Sequence, residues 1–85
     1  MEYKKSHLDI FQRAIDSYLE AFHEIPENGS VCIPIRNANI VAVAELAMNG
    51  DVKLEGLAGN QEYWLTQKGA DFARKMYEEQ KERVA

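Results

Sequence analysis

Apolar residues recur every three or four positions from Leu8 onward. Leu8, Phe11, Ile15, Tyr18, Leu19 and Phe22 lie along one stripe, with Arg13, Asp16 and Glu20 on other faces. That period predicts an amphipathic helix of about 18 residues with one side turned to a core. Ser6-His7-Leu8-Asp9 offers a start signal, a hydroxyl with an acid three positions on. The helix must end before Pro26, since the residue preceding a proline avoids the helical region. Pro26-Glu27-Asn28-Gly29-Ser30 reads as a turn by composition.

The period then changes. In VCIPI, Val31, Ile33 and Ile35 alternate with Cys32 and Pro34, which predicts a strand. Pro34 cannot donate to a ladder, so the strand is short or at an edge. Asn37 or Asn39 is placed to cap a second helix. Ile40, Val43, Ala44, Leu46 and Ala47 give that helix a broad apolar surface, and Asn49-Gly50 ends it. It is about ten residues long and nearly uncharged, so most of it is expected to be buried.

Next comes DVKLEG, with Val52 and Leu54 on one face and Lys53 and Glu55 on the other. LAGNQ is a tip, and EYWLT alternates again, Tyr63 and Leu65 against Trp64 and Thr66. Two alternating runs about a glycine-containing link predict a β-hairpin. Thr66 is placed to cap a last helix with Ala70, Phe72, Ala73, Met76 and Tyr77 at core spacing. Its tail, EEQKERVA, has only Val84 as an anchor, so residues 76–85 are expected to project into water or fray. The order is α-β-α-β-β-α, an α+β domain spanning 1–85, with no repeat, linker or low-complexity segment.

The stretch from Ala42 to Met76 resembles the second half of a winged-helix domain. AVAELAMNGDVKLEGLAGNQEYWLTQKGADFARKM supplies an apolar helix, an Asn-Gly break, a strand, a wing loop, a second strand and a closing helix. Tyr63, Leu65, Thr66 and Gly69 match the family's aromatic-x-Leu-Thr-x-x-Gly pattern. The resemblance implies a three-stranded antiparallel sheet, with VCIPI as the extra strand, and a setting in DNA transactions. Two departures qualify it. Only one helix fits between Ile35 and Asp51 where the family has two, unless Arg36-Asn37-Ala38 forms a turn in place of the other. That helix carries no Lys or Arg, and the wing from Gly56 to Gln61 carries no cation either.

Charge bears on the same question. The chain has 46% apolar and 28% charged residues, a net charge of −4 and an isoelectric point near 5.1. An acidic balance argues against binding by bulk neutralisation of phosphates. The groups open to nucleic acid are Arg36, Asn39, Lys53 and Lys68, with Lys4, Lys5 and Arg13 as further cations. Asn39 suits an adenine edge, but base contacts need phosphate anchors beside them. Asp51, Glu55 and Glu62 dilute the basic spot.

Other chemistry is thinly supplied. Cys32 permits no internal disulfide and reads as a small hydrophobe in a reducing, cytoplasmic setting. Cys32, His7 and His23 have no second ligand at zinc spacing. The sequence contains no phosphate loop, dinucleotide fingerprint or nucleophile motif, and its carboxylate pairs sit on solvated helix faces. No cofactor, metal or small-molecule substrate is implied. No signal peptide is visible, and no segment approaches the roughly 18 apolar residues of a membrane span.

What remains is a surface. If Tyr63 and Leu65 face the core, Trp64 faces outward toward a partner; otherwise it packs under the first or last helix. A large exposed aromatic is a common interface anchor. Leu57 and Asn60 lie in the hairpin tip, and Leu57 has no evident core duty. The expectation is a non-catalytic regulatory or interaction module that binds a protein partner or itself, with Trp64, Leu57 and Asn60 as interface candidates. The alternative is a small DNA-binding transcriptional regulator. Size and resemblance together suit an accessory protein of a bacterium, phage or mobile element.

Overall fold

The computed structural model describes residues 2–23, 32–56 and 62–84. The element order is α1 (Lys5–Phe22), α2 (Ile40–Met48), β1 (Val52–Glu55), β2 (Glu62–Leu65) and α3 (Gln67–Val84). The expected order α-β-α-β-β-α is therefore corrected to α-α-β-β-α. The sheet has two antiparallel strands, not the three of a winged-helix-like arrangement.

The reason lies at VCIPI. Cys32 forms only an isolated antiparallel bridge to Trp64, and the Ile33 N–H donates to the Tyr63 carbonyl at 2.8 Å. Beyond Pro34 the chain enters a turn, closed by the Ala38 N–H on the Ile35 carbonyl at 2.9 Å. The ladder stops after that contact, and Pro34 lacks the N–H that would extend it outward. Residues 36–38 are this single turn and not a helix. Asn37 takes φ +62°, a left-handed conformation that asparagine tolerates. Arg13 of α1 pins the turn, donating to the carbonyls of Arg36 and Asn37 at 3.0 and 3.3 Å.

α1 starts one residue earlier than the hydroxyl signal implies. Its cap is His7, whose Nδ1 accepts from the Lys4 N–H at 2.9 Å. In a neutral ring an accepting Nδ1 leaves Nε2 protonated, and Nε2 faces Glu45 of α2 at 3.2 Å. One imidazole thus closes the start of α1 and ties it to α2.

The core joins all three helices to the hairpin. Ile10, Phe11, Ala14 and Ile15 of α1 meet Ala42, Val43 and Leu46 of α2, Val52 and Leu65 of the strands, Ala73 of α3, and Ile33. Phe22, at the end of the predicted stripe, is exposed and stacks on Tyr18 with centroids 4.7 Å apart. α3 stays helical through Val84, and its Gln80 is bonded to Gln12 of α1. That stretch of the tail is therefore held along α1 and does not fray.

Candidate functional site

The Asn49-Gly50 break does more than end α2. The Gly50 N–H bonds the Ala47 carbonyl at 3.1 Å and the Asp51 N–H bonds the Leu46 carbonyl at 3.0 Å, with Gly50 at φ +85°. This is a Schellman closure, which needs a left-handed residue after the cap. It delivers Asp51 into the interior, where the side chain is fully buried. The carboxylate takes Asn49 Nδ2 at 2.7 Å and the Tyr3 hydroxyl, and Lys68 Nζ stands 3.9 Å away. The Asp51 carbonyl accepts the Thr66 N–H at 2.9 Å. Thr66 Oγ1 donates to the Gly50 carbonyl at 2.6 Å and accepts the Gly69 N–H at 3.1 Å, capping α3.

An acid beside a tyrosine, an amide and an ammonium has the parts of an acid–base site. Its exposure decides otherwise: a carboxylate that no solvent touches touches no substrate either. A groove of about 280 Å³ between α1 and α3 is lined by Leu8, Phe72 and Met76 with the charged Lys75, Glu79 and Arg83, and it does not include Asp51. The cluster is a lock that joins the amino-terminal segment, the end of α2 and the start of α3. It also gives the aromatic-x-Leu-Thr-x-x-Gly run a physical meaning. Leu65 fills the core, Thr66 caps, and Gly69 lets α3 press against the Asp51 carbonyl.

The residues picked for nucleic acid are dispersed by this arrangement. Asn39 has committed its side-chain oxygen to the Ala42 N–H at 3.1 Å, as the cap of α2. Lys68 donates to the Asn49 carbonyl at 2.6 Å. Lys53 pairs with Glu55 at 3.1 Å on the hairpin. Arg36 is exposed on the turn. The interface candidates fare differently. Leu57 and Asn60 lie outside the described residues. Trp64 is half-buried on the face opposite Tyr63 and Leu65, flanked by Lys53 of β1 and by Cys32. Burial pushes the Cys32 thiol above its ordinary pKa, and the nearby Glu62 charge adds to the effect. Among the described residues no three His, Cys, Asp or Glu side chains are grouped to hold a metal. No described helix is long and apolar enough to cross a membrane.

The prominent surface is elsewhere, on α2. Only Ala42, Val43 and Leu46 of that helix are buried. Ile40, Val41 and Met48 are 53%, 68% and 89% exposed, and Ala44 lies exposed between them. At 100° per residue these four positions span about 100° of the helix, the width of an ordinary packing stripe. Glu45 borders the stripe but is turned to His7. Residue-by-residue reading treated this helix as buried because it is apolar on every side. That same fact was the available signal: a helix apolar all round in an 85-residue domain has more apolar surface than one small core can cover.

No protein-family model matches this chain, and no curated protein or solved structure matches it.

Proposed function

We propose that the chain is a non-catalytic interaction module that docks a protein against the outward stripe of α2. The supporting observation is the pairing of two apolar stripes on one nine-residue helix. One stripe is in the core, and the other, Ile40, Val41, Ala44 and Met48, faces out of the domain with no charge in it. Large apolar side chains exposed next to one another on a small domain are characteristic of a contact surface. This moves the expected anchor from Trp64 to α2. The regulator alternative draws less support, because Asn39, Lys53 and Lys68 are already engaged within the domain.

Val41→Glu tests the reading in dilute protein, at about 2 µM, where weak association is absent. A docking face tolerates the change, so the melting temperature stays within about 2 °C of the parent. A loss of about 8 °C or more is what burying an unpaired charge produces; it would mean the chain covers this face itself, and the reading would end. Titration of mixed-sequence duplex DNA is the second arm. Binding that falls steeply with salt would favour the regulator instead.

A further inference from the structure

We infer that the occupant of this face is a second copy of the chain, with the two α2 helices packed antiparallel across a two-fold axis at Ala44. The inference rests on the docking-face reading above and adds the identity and geometry of the partner.

Three features carry it. The stripe has a size pattern that is its own complement. Bulky Ile40 and Val41 stand one turn before Ala44, and bulky Met48 stands one turn after it. Turned end for end, the Met48 end of one helix meets the Ile40 and Val41 end of the other, and the two small Ala44 side chains meet at the centre. Small residues at a crossing let helices approach to about 8 Å. A two-fold contact of this kind uses one patch twice, so each side chain contributes on both sides.

The second feature is charge. Each copy carries −4, which opposes association in general. The stripe itself contains no ionised group, and Glu45 at its border is held at 3.2 Å from His7 Nε2. The face where copies meet is therefore the part of α2 where like charges are not pressed together.

The third is extent. Nine residues make a seam of about 13 Å, which is short of the roughly 800 Å² per partner of a standard interface. A short seam of this composition gives a weak dimer that forms and separates with concentration, with a dissociation constant on the order of 10–100 µM.

The test is cysteine cross-linking in the full chain, with Cys32→Ser as background. Three preparations are oxidised mildly at about 200 µM, above the expected dissociation constant. Ala44→Cys alone should cross-link with itself, since that position lies on the axis. A mixture of Ile40→Cys and Met48→Cys chains should give the heterodimer, identified by mass, in excess of either homodimer. Adding Val41→Glu to the Ala44→Cys chain should reduce its cross-linking at least tenfold. A Met48→Cys homodimer forming as readily as the Ala44→Cys one would mean parallel helices and would overturn the geometry. Absence of cross-links, together with a monomer in sedimentation up to about 500 µM, would overturn the second copy as occupant. That result leaves the docking face for a different protein, whereas the melting loss in Val41→Glu removes the face itself, so the two failures are distinguishable.

Discussion

The Tyr3 hydroxyl stands 2.9 and 3.0 Å from the two carboxylate oxygens of Asp51, across 48 positions of the chain. Its ring lies edge-on to Phe11, with centroids 5.4 Å apart, and tilted against Phe72 at 4.4 Å. The residue is thus both an aromatic plug between α1 and α3 and a donor to a buried acid. Tyr3→Phe keeps the plug and removes the donor. Hydrogen bonds to charged groups contribute about 1.5–3 kcal/mol, and Asn49 still serves Asp51 in the variant, so a loss near the lower bound is expected. Urea unfolding of the two proteins at pH 7 measures it, and equal midpoints would show that the contact contributes nothing.

The same pair sets a pH dependence. Burial first, then the hydrogen bond to Asp51 and its charge, push the Tyr3 hydroxyl up to about 12 from its ordinary 10.0. The fold therefore prefers the protonated phenol. Its contribution is fully present below pH 10 and is lost as pH rises through 10 to 12. Lysines and the other tyrosines titrate in this range too, so the informative quantity is the difference between parent and Tyr3→Phe. The parent's advantage should be intact at pH 9 and much reduced at pH 11.5. An advantage that does not change between them would contradict the assignment.

Gly69 is expected to be intolerant. A Cβ on this residue would collide with the Asp51 carbonyl oxygen and crowd Leu65. That carbonyl is already bonded to the Thr66 N–H, so it cannot withdraw without opening the lock. Gly69→Ala would gain about 1 kcal/mol in a free helix, yet here it should destabilise by roughly 2–4 kcal/mol. Thermal unfolding reports the sign directly. A stabilised variant would mean that α3 sits farther from Asp51 than described.

Cys32 should alkylate slowly for an exposed thiol. Partial burial of its sulfur and the Glu62 carboxylate, 4.0 Å away, hold it in the protonated form. The thiolate is the reactive species, so iodoacetamide at pH 7.5 should modify Cys32 more slowly than free cysteine. Glu62→Gln removes the smaller of the two causes and should raise the rate modestly, by a few-fold at most. An unchanged rate would show that Glu62 does not reach the sulfur electrostatically.

The elements that local chemistry decides were legible in the chain. The 3.6-residue stripes of α1 and α3 and the alternation in DVKLEG and EYWLT are properties of neighbouring residues, and they produced the helices and the hairpin found. Thr66 as a cap and Asn49-Gly50 as a stop are also local, since each satisfies backbone groups within a few positions. VCIPI alternates like a strand, but a strand exists only with a partner ladder. Whether Ile33 is followed by more rungs depended on the turn at Arg36-Asn37 and on Arg13, which reaches it from α1. Asp51 and His7 read as ordinary polar residues, and their burial depends on Tyr3, Asn49 and Glu45, two of which are distant in sequence from their partners. For α2 the periodicity was silent because every side is apolar; only the packing of α1 and the hairpin determined that Ala42, Val43 and Leu46 are covered while Val41 and Met48 are not. Sequence by itself determined where the helices and strands begin and end, because backbone dihedrals, caps and turns are set within a few residues. Tertiary structure decided which faces those elements cover, because burial depends on contacts between segments far apart in the chain.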